Sequence, residues 1–134
     1  MLHLTKDMET GVEKIDLQHK ELISRINSLL AIGEKSASAE ETRKTFDYLG
    51  DYVAKHFRDE EEIHIKSGYP KREEHKKKHA LFIEDFSKLE NEFLEKGNSM
   101  QLTMKLNNSV VAWIIKHIKG DDVEFGKFYK EQAV

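Results

Sequence analysis

Cysteine is absent from the 134-residue chain, which removes disulfide frameworks, thiol nucleophiles, zinc-cysteine sites and cysteine-ligated iron-sulfur clusters. Any metal must therefore be held by His, Asp or Glu. One proline and seven glycines are few for an all-β protein with many tight turns. No G-x-G-x-x-G or Walker-type loop occurs, so nucleotide-binding α/β folds are disfavoured. An excess of one charge is missing too: 22 basic and 25 acidic side chains leave a net charge of −3, whereas a general nucleic-acid binder is basic. The longest apolar run, Val110 to Ile115, falls far short of the roughly 20 residues that cross a bilayer. The N-terminus meets Lys6, Asp7 and Glu9 almost immediately. These absences lead to the expectation of a soluble, cytoplasmic, single-domain protein with no nucleic-acid partner and no membrane insertion.

The few turn formers that are present fall at useful intervals. Gly33, the Gly68-Tyr69-Pro70 step and Gly97-Asn98-Ser99 divide the chain into four stretches of roughly 20 to 30 residues. Each stretch carries apolar residues at three- and four-residue spacing: Val12, Ile15, Leu22, Ile23, Ile26, Leu29 and Leu30 in the first, Phe46, Leu49, Tyr52, Val53 and Ile63 in the second. Phe82, Ile83, Phe86, Leu89 and Phe93 mark the third, and Leu102, Leu106, Val110, Trp113, Ile114 and Ile118 the fourth. Four amphipathic helices with short connections predict an all-α, up-down-up-down four-helix bundle. The expected divisions are an N-terminal arm at 1–11, the bundle at about 12–119, and a tail at 120–134 in which Phe125, Phe128 and Tyr129 dock a short C-terminal helix.

Seven histidines are the main departure from ordinary composition. Helical spacing from apolar neighbours turns His19, His56, His75, His79 and His117 inward, so that all four helices aim an imidazole at the core. A lone inward histidine is usually a core residue bonded to a carbonyl. Five together would leave many polar atoms unsatisfied unless something common to them satisfies them. Inward side chains at similar depth on facing helices are also how bundle metal sites are built. With Glu60 and one of Asp121 and Asp122, the set is too large for one ion. If both carboxylates bridge, these side chains and a bridging oxygen fill eleven of the twelve positions of two roughly octahedral ions. The open position suits a small exogenous molecule. Other metal motifs fit worse: His75 is followed by Lys76 and not by the Glu of H-E-x-x-H, and Glu61-x-x-His64 stands alone where ferritin-like centres need two such motifs.

These residues resemble the hemerythrin family, the single-domain bacterial members in particular. The resemblance runs over nearly the whole chain: Gly11-Val12-Glu13-Lys14-Ile15-Asp16-Leu17-Gln18-His19, His56-Phe57-Arg58-Asp59-Glu60-Glu61, Tyr69-Pro70, His75-x-x-x-His79-x-x-Phe82 and Trp113-Ile114-Ile115-Lys116-His117-Ile118. It implies a non-haem centre of two iron ions (Fe2+/Fe3+) with a bridging oxygen species. His75, His79 and His117 would hold one ion and His19 and His56 the other, with Glu60 and Asp122 bridging. It further implies dioxygen as the ligand, taken up at the iron with two histidines and released again. Phe57, Trp113, Ile114 and Ile118 would form a dry wall around it.

Three points stay open at this level. An ideal helix puts Asp121, four residues after His117, on the ligand face, whereas the resemblance selects Asp122; Gly120 lowers the cost of a widened turn there. Leu2, His3 and Leu4 stand where family members often carry a tryptophan. His64 stands where the family usually has a methionine. Its imidazole either reaches solvent or a nearby carboxylate at the helix end, or lies beside the ligands and hydrogen-bonds to one or carries a proton to the bound oxygen species near pH 6 to 7. The leading expectation is reversible dioxygen binding for storage, delivery, scavenging or sensing, and not an enzyme. The alternatives are a diiron oxidoreductase handling peroxide or nitric oxide, an iron-repair factor, or a metal-storage or purely structural bundle.

Overall fold

The structure, a computed structural model, describes residues 2–33, 38–97 and 99–132. Asn98, one of the punctuating residues, lies outside the described residues, as do Met1 of the arm and the last two residues of the tail. Three long helices come first: α1 (Glu13–Gly33), α2 (Ala39–Ser67) and α3 (Arg72–Lys96). A fourth rod is built from α4 (Met100–Leu106), α5 (Ala112–His117) and α6 (Val123–Gln132), joined through two π turns, Asn107–Val111 and Ile118–Asp122. Each helix packs on the next, and the fourth rod closes on the first. The result is the expected all-α four-helix bundle, and no strand occurs among the described residues. No described helix is long and apolar enough to cross a membrane.

Local chemistry sets the helix ends. Ser38 caps α2: its hydroxyl accepts from the Glu41 N–H at 3.1 Å, while the Glu41 carboxylate accepts from the Ser38 N–H at 3.3 Å. At the far end Gly68 turns left-handed at φ 70°, which brings the Tyr69 N–H to the His64 carbonyl at 3.0 Å, and Pro70 prevents continuation. At the start of α1 the Asp16 carboxylate accepts from the Thr10 N–H at 2.8 Å, the Thr10 hydroxyl at 2.8 Å and the Gly11 N–H at 3.1 Å. This ties the arm to the bundle.

Two apolar clusters result. The larger gathers Leu22, Ile26, Phe46, Leu49, Phe57, Phe82, Phe86, Leu106, Ile114 and Ile118 with their neighbours. The smaller consists of Val12, Ile15, Tyr69 and Phe125, with Ile63 and Phe128 against it. Buried polar side chains are set among them. The expected short C-terminal helix is α6, and it continues the fourth rod directly from the π turn Ile118–Asp122. Backbone angles stay helical from His117 (φ −64°, ψ −45°) through to Val123 (φ −65°, ψ −37°). The widened turn at Gly120 absorbs an extra residue without breaking the rod, so Phe125 arrives fully buried.

Gly126 of α6 packs on the arm so closely that an added Cβ would overlap the Thr10 carbonyl oxygen. Gly126→Ala should therefore destabilise the protein by about 1 to 3 kcal/mol from overpacking, despite alanine's helix preference of about 1 kcal/mol. Urea denaturation reads the change; an unchanged or higher midpoint would show that the arm yields freely.

Candidate metal centre

α1 contributes His19, α2 His56 and Glu60, α3 His75 and His79, and the fourth rod His117 and Asp122. All seven are at most 4% exposed. They fall into two groups that share both carboxylates: Glu60, His75, His79, His117 and Asp122, and His19, His56, Glu60 and Asp122. Within each group one ligand atom per residue lies within 4.8 Å of the others. Each carboxylate gives one oxygen to each group. Glu60 Oε1 lies 2.7 Å from His75 Nε2 while Oε2 lies 3.3 Å from His56 Nε2. Asp122 Oδ1 lies 3.0 Å from His75 Nε2 while Oδ2 lies 2.9 Å from His19 Nε2.

Hydrogen bonds on the outer sides of the rings fix where their protons are. His79 Nδ1 meets Glu61 Oε2 at 2.7 Å and His117 Nδ1 meets Asp121 Oδ2 at 2.8 Å. A carboxylate only accepts, so both Nδ1 atoms carry hydrogen and, in neutral rings, both Nε2 atoms present lone pairs. Those two Nε2 atoms are 3.1 Å apart, and His75 Nε2 is also 3.1 Å from His117 Nε2. His56 follows the same rule: its Nδ1 donates to Gln18 Oε1 at 2.6 Å, because the Gln18 amide N–H is spent on Asp59 at 2.8 Å. Its Nε2 lone pair then faces Glu60. Lone pairs and carboxylate oxygens packed in this way repel unless a cation lies between them. Both Glu60 oxygens, both Asp122 oxygens and both His19 nitrogens are buried without a hydrogen-bond partner among the described residues. An all-nitrogen-and-oxygen donor set of this kind fits iron, and does not need sulfur.

The electrostatics agree. Burial works against ionisation of Glu60, yet the imidazoles of His56, His75 and His79 hold its carboxyl well below the usual range. Burial likewise disfavours a charged His75, but Asp122 and Glu60 push it up to about 10. A field that draws protons this strongly draws metal cations by the same attraction.

Asp121 stands apart from Asp122. In the π turn the residue five positions after His117 shares its inner face, so Asp122 is 1% exposed and lies in both groups. Asp121, four positions on, reaches around to the outer nitrogen of His117 and to Lys78 at 2.9 Å. The ideal-helix expectation for Asp121 fails because the turn is wider than 3.6 residues. Phe57 stacks on His79 with ring centroids 3.7 Å apart, and Trp113 stacks on His117 at 4.6 Å. Both rings thus lie against the five-residue group. Ile114 and Ile118 are buried in the larger cluster. A cleft of about 300 Å3 between α2 and α3, lined by Phe57, His79, Arg58, Glu61 and Lys76, reaches the outer edge of this wall.

His64 corrects two expectations. It is 0% exposed and so does not reach solvent. Phe125 of the continued fourth rod covers it at 4.3 Å between ring centroids, with His75 at 4.5 Å and Tyr69 at 5.1 Å. Neither ring nitrogen has a hydrogen-bond partner among the described residues, and Nε2 is 3.9 Å from Glu60 Oε1. Burial lowers its pKa to about 4, so in the metal-free protein the ring is neutral near pH 6 to 7. Sequence reasoning missed Gln18, Glu61 and Asp121 as partners of the rings. Spacing carries no signal for the first two, because Gln18 reaches His56 on α2 and Glu61 reaches His79 on α3 across helix boundaries.

Residues 10–128 match the family described as Hemerythrin HHE cation binding domain. A bacteriohemerythrin of Stenotrophomonas maltophilia is 30% identical over 116 residues, covering 87% of this chain and 73% of that one. A bacteriohemerythrin of Pseudomonas aeruginosa is 33% identical over 129 residues, covering 93% and 80%. A myohemerythrin of Theromyzon tessulatum is 29% identical over 117 residues, covering 87% and 84%.

Unpartnered burial of His64 predicts that His64→Met stabilises the metal-free protein by about 1 to 3 kcal/mol, since a buried polar group without a partner costs that much. The folded pKa lies below the unfolded one, so the parent loses this part of its stability as pH falls from about 6.5 towards 4. The gap between variant and parent should widen over that interval in denaturant titrations. A gap that stays constant or narrows would mean that the ring is charged when folded.

Proposed function

The chain belongs to the hemerythrin family, and we propose that it binds dioxygen reversibly at a non-haem centre of two iron ions. His75, His79 and His117 would hold one ion and His19 and His56 the other, with Glu60 and Asp122 spanning both. The observation that carries this reading is the pair of Nε2 lone pairs of His79 and His117 held 3.1 Å apart by outer carboxylates. A protein core tolerates that arrangement when a cation joins the two nitrogens. Two ferrous ions held there would supply the two electrons that dioxygen takes up on binding and returns on release.

The protein's own residues do the rest. Glu60 and Asp122 place negative charge between the ions and lower their mutual repulsion. As metal ligands the five inner imidazoles would be neutral donors, so the centre would carry less negative charge than a carboxylate-rich, oxygen-activating site. Phe57, Ile114 and Ile118 exclude water from one side, and Ile15, Tyr69 and Phe125 from the other. A dry surround limits the protons available to drive off reduced oxygen. We assign the chain to oxygen storage, delivery, scavenging or sensing in the cytoplasm, with dioxygen as its ligand.

Anaerobic loading should give about two iron atoms per chain. The absorption spectrum should gain a visible band on exposure to air and lose it under argon. A band that argon cannot reverse, accompanied by turnover of peroxide or nitric oxide, would make the protein an oxidoreductase instead. Asp122→Ala should abolish most iron loading, whereas Asp121→Ala should retain both ions when iron is in excess. Retention by the first variant and loss by the second would place Asp121 in the centre.

A further inference from the structure

The two ligand groups differ in what stands behind their imidazoles. In the five-residue group His79 and His117 each donate from Nδ1 directly to a carboxylate, Glu61 at 2.7 Å and Asp121 at 2.8 Å. Asp121 is steadied by Lys78 at 2.9 Å. In the other group His56 donates to the neutral amide oxygen of Gln18 at 2.6 Å. Negative charge stands one residue further away, on Asp59, where Lys55 shares it at 2.9 Å. His19 Nδ1 is buried and has no partner among the described residues.

A carboxylate behind an imidazole pulls its Nδ1 proton outward, makes Nε2 a stronger donor and fixes the ring's orientation. Removing such a partner typically costs about 10- to 100-fold in metal affinity. An amide oxygen does this weakly, and an unpartnered ring gains nothing. The larger group also has one more ligand residue, five against four.

Building on the assignment of two ions to this cluster, we infer that the two halves fill in a fixed order. The half formed by His75, His79 and His117 takes the first ion and keeps it longest, and the half formed by His19 and His56 fills last and empties first. Glu61 and Asp121 are the positioning residues that set the difference. A first ion in that half would draw Glu60 Oε1 and Asp122 Oδ1, which already face His75, toward it. Their second oxygens are then held where His56 Nε2 at 3.3 Å and His19 Nε2 at 2.9 Å already face them. The second half is thereby completed by the filling of the first.

The test uses iron-loaded protein under argon, mixed with an excess of a coloured iron chelator. Release should occur in two phases of equal amplitude, and protein recovered after the fast phase should retain about one iron per chain. Glu61→Gln combined with Asp121→Asn preserves size and should speed the slow phase about 10-fold or more, leaving the fast phase within about twofold. Gln18→Glu combined with Asp59→Asn gives His56 a carboxylate and should slow the fast phase. A merely structural role for these residues would not move the two phases selectively. Release of two ions in a single phase, or equal acceleration of both phases by the first pair of substitutions, overturns the proposal. Failure of the parent to bind iron at all would instead defeat the diiron reading beneath it.

Discussion

Repulsion between buried donor atoms organises this molecule. Two carboxylates and five imidazoles converge, at most 4% exposed, with oxygens and nitrogen lone pairs turned toward one another. Left uncompensated, such a cluster would cost far more than the few kcal/mol by which small domains are stable. Apolar packing therefore has to hold the donors in place and a cation has to reconcile them. The two hydrophobic clusters supply the first requirement: four helices bring their stripes together, and the donors ride on those stripes at a common depth.

The fourth rod shows how far the backbone bends to that requirement. A regular helix would offer His117 and Asp121 to the centre, leaving Asp122 turned aside. The π turn Ile118–Asp122 rotates the next residue inward, so that consecutive aspartates meet opposite nitrogens of one imidazole, Asp122 near Nε2 and Asp121 on Nδ1. The same widening carries the chain onward without a break and brings Phe125 over His64. One local irregularity thus turns Asp122 into the cluster, positions its neighbour and brings Phe125 over His64 at the end of the bundle.

Outer partners give the centre its asymmetry. Two of the three imidazoles in one half, His79 and His117, stand in front of carboxylates, while in the other half His56 stands in front of an amide and His19 has no partner among the described residues. Charge at a distance of one hydrogen bond alters donor strength without touching the ion. In this chain those partners are Glu61, Asp121 and Gln18.

Periodicity and composition alone were enough to determine the four helices, the core stripes and the inward aim of the five histidines and Glu60. These features depend on local spacing along a helix, which one sequence displays directly. Resemblance to a family added Asp122. Only the tertiary structure decided how Asp121 is used, because a widened turn in an otherwise helical stretch leaves no periodic mark. The same holds for His64: spacing put it on the ligand face, but its burial and lowered proton affinity come from Tyr69 just past the Gly68 turn and from Phe125, which folds onto it from a distant part of the chain. Ring partners such as Gln18 and Glu61 were hidden for a related reason. Hydrogen bonds that cross between helices depend on rotation and depth at once, and a sequence specifies those only after the helices have packed.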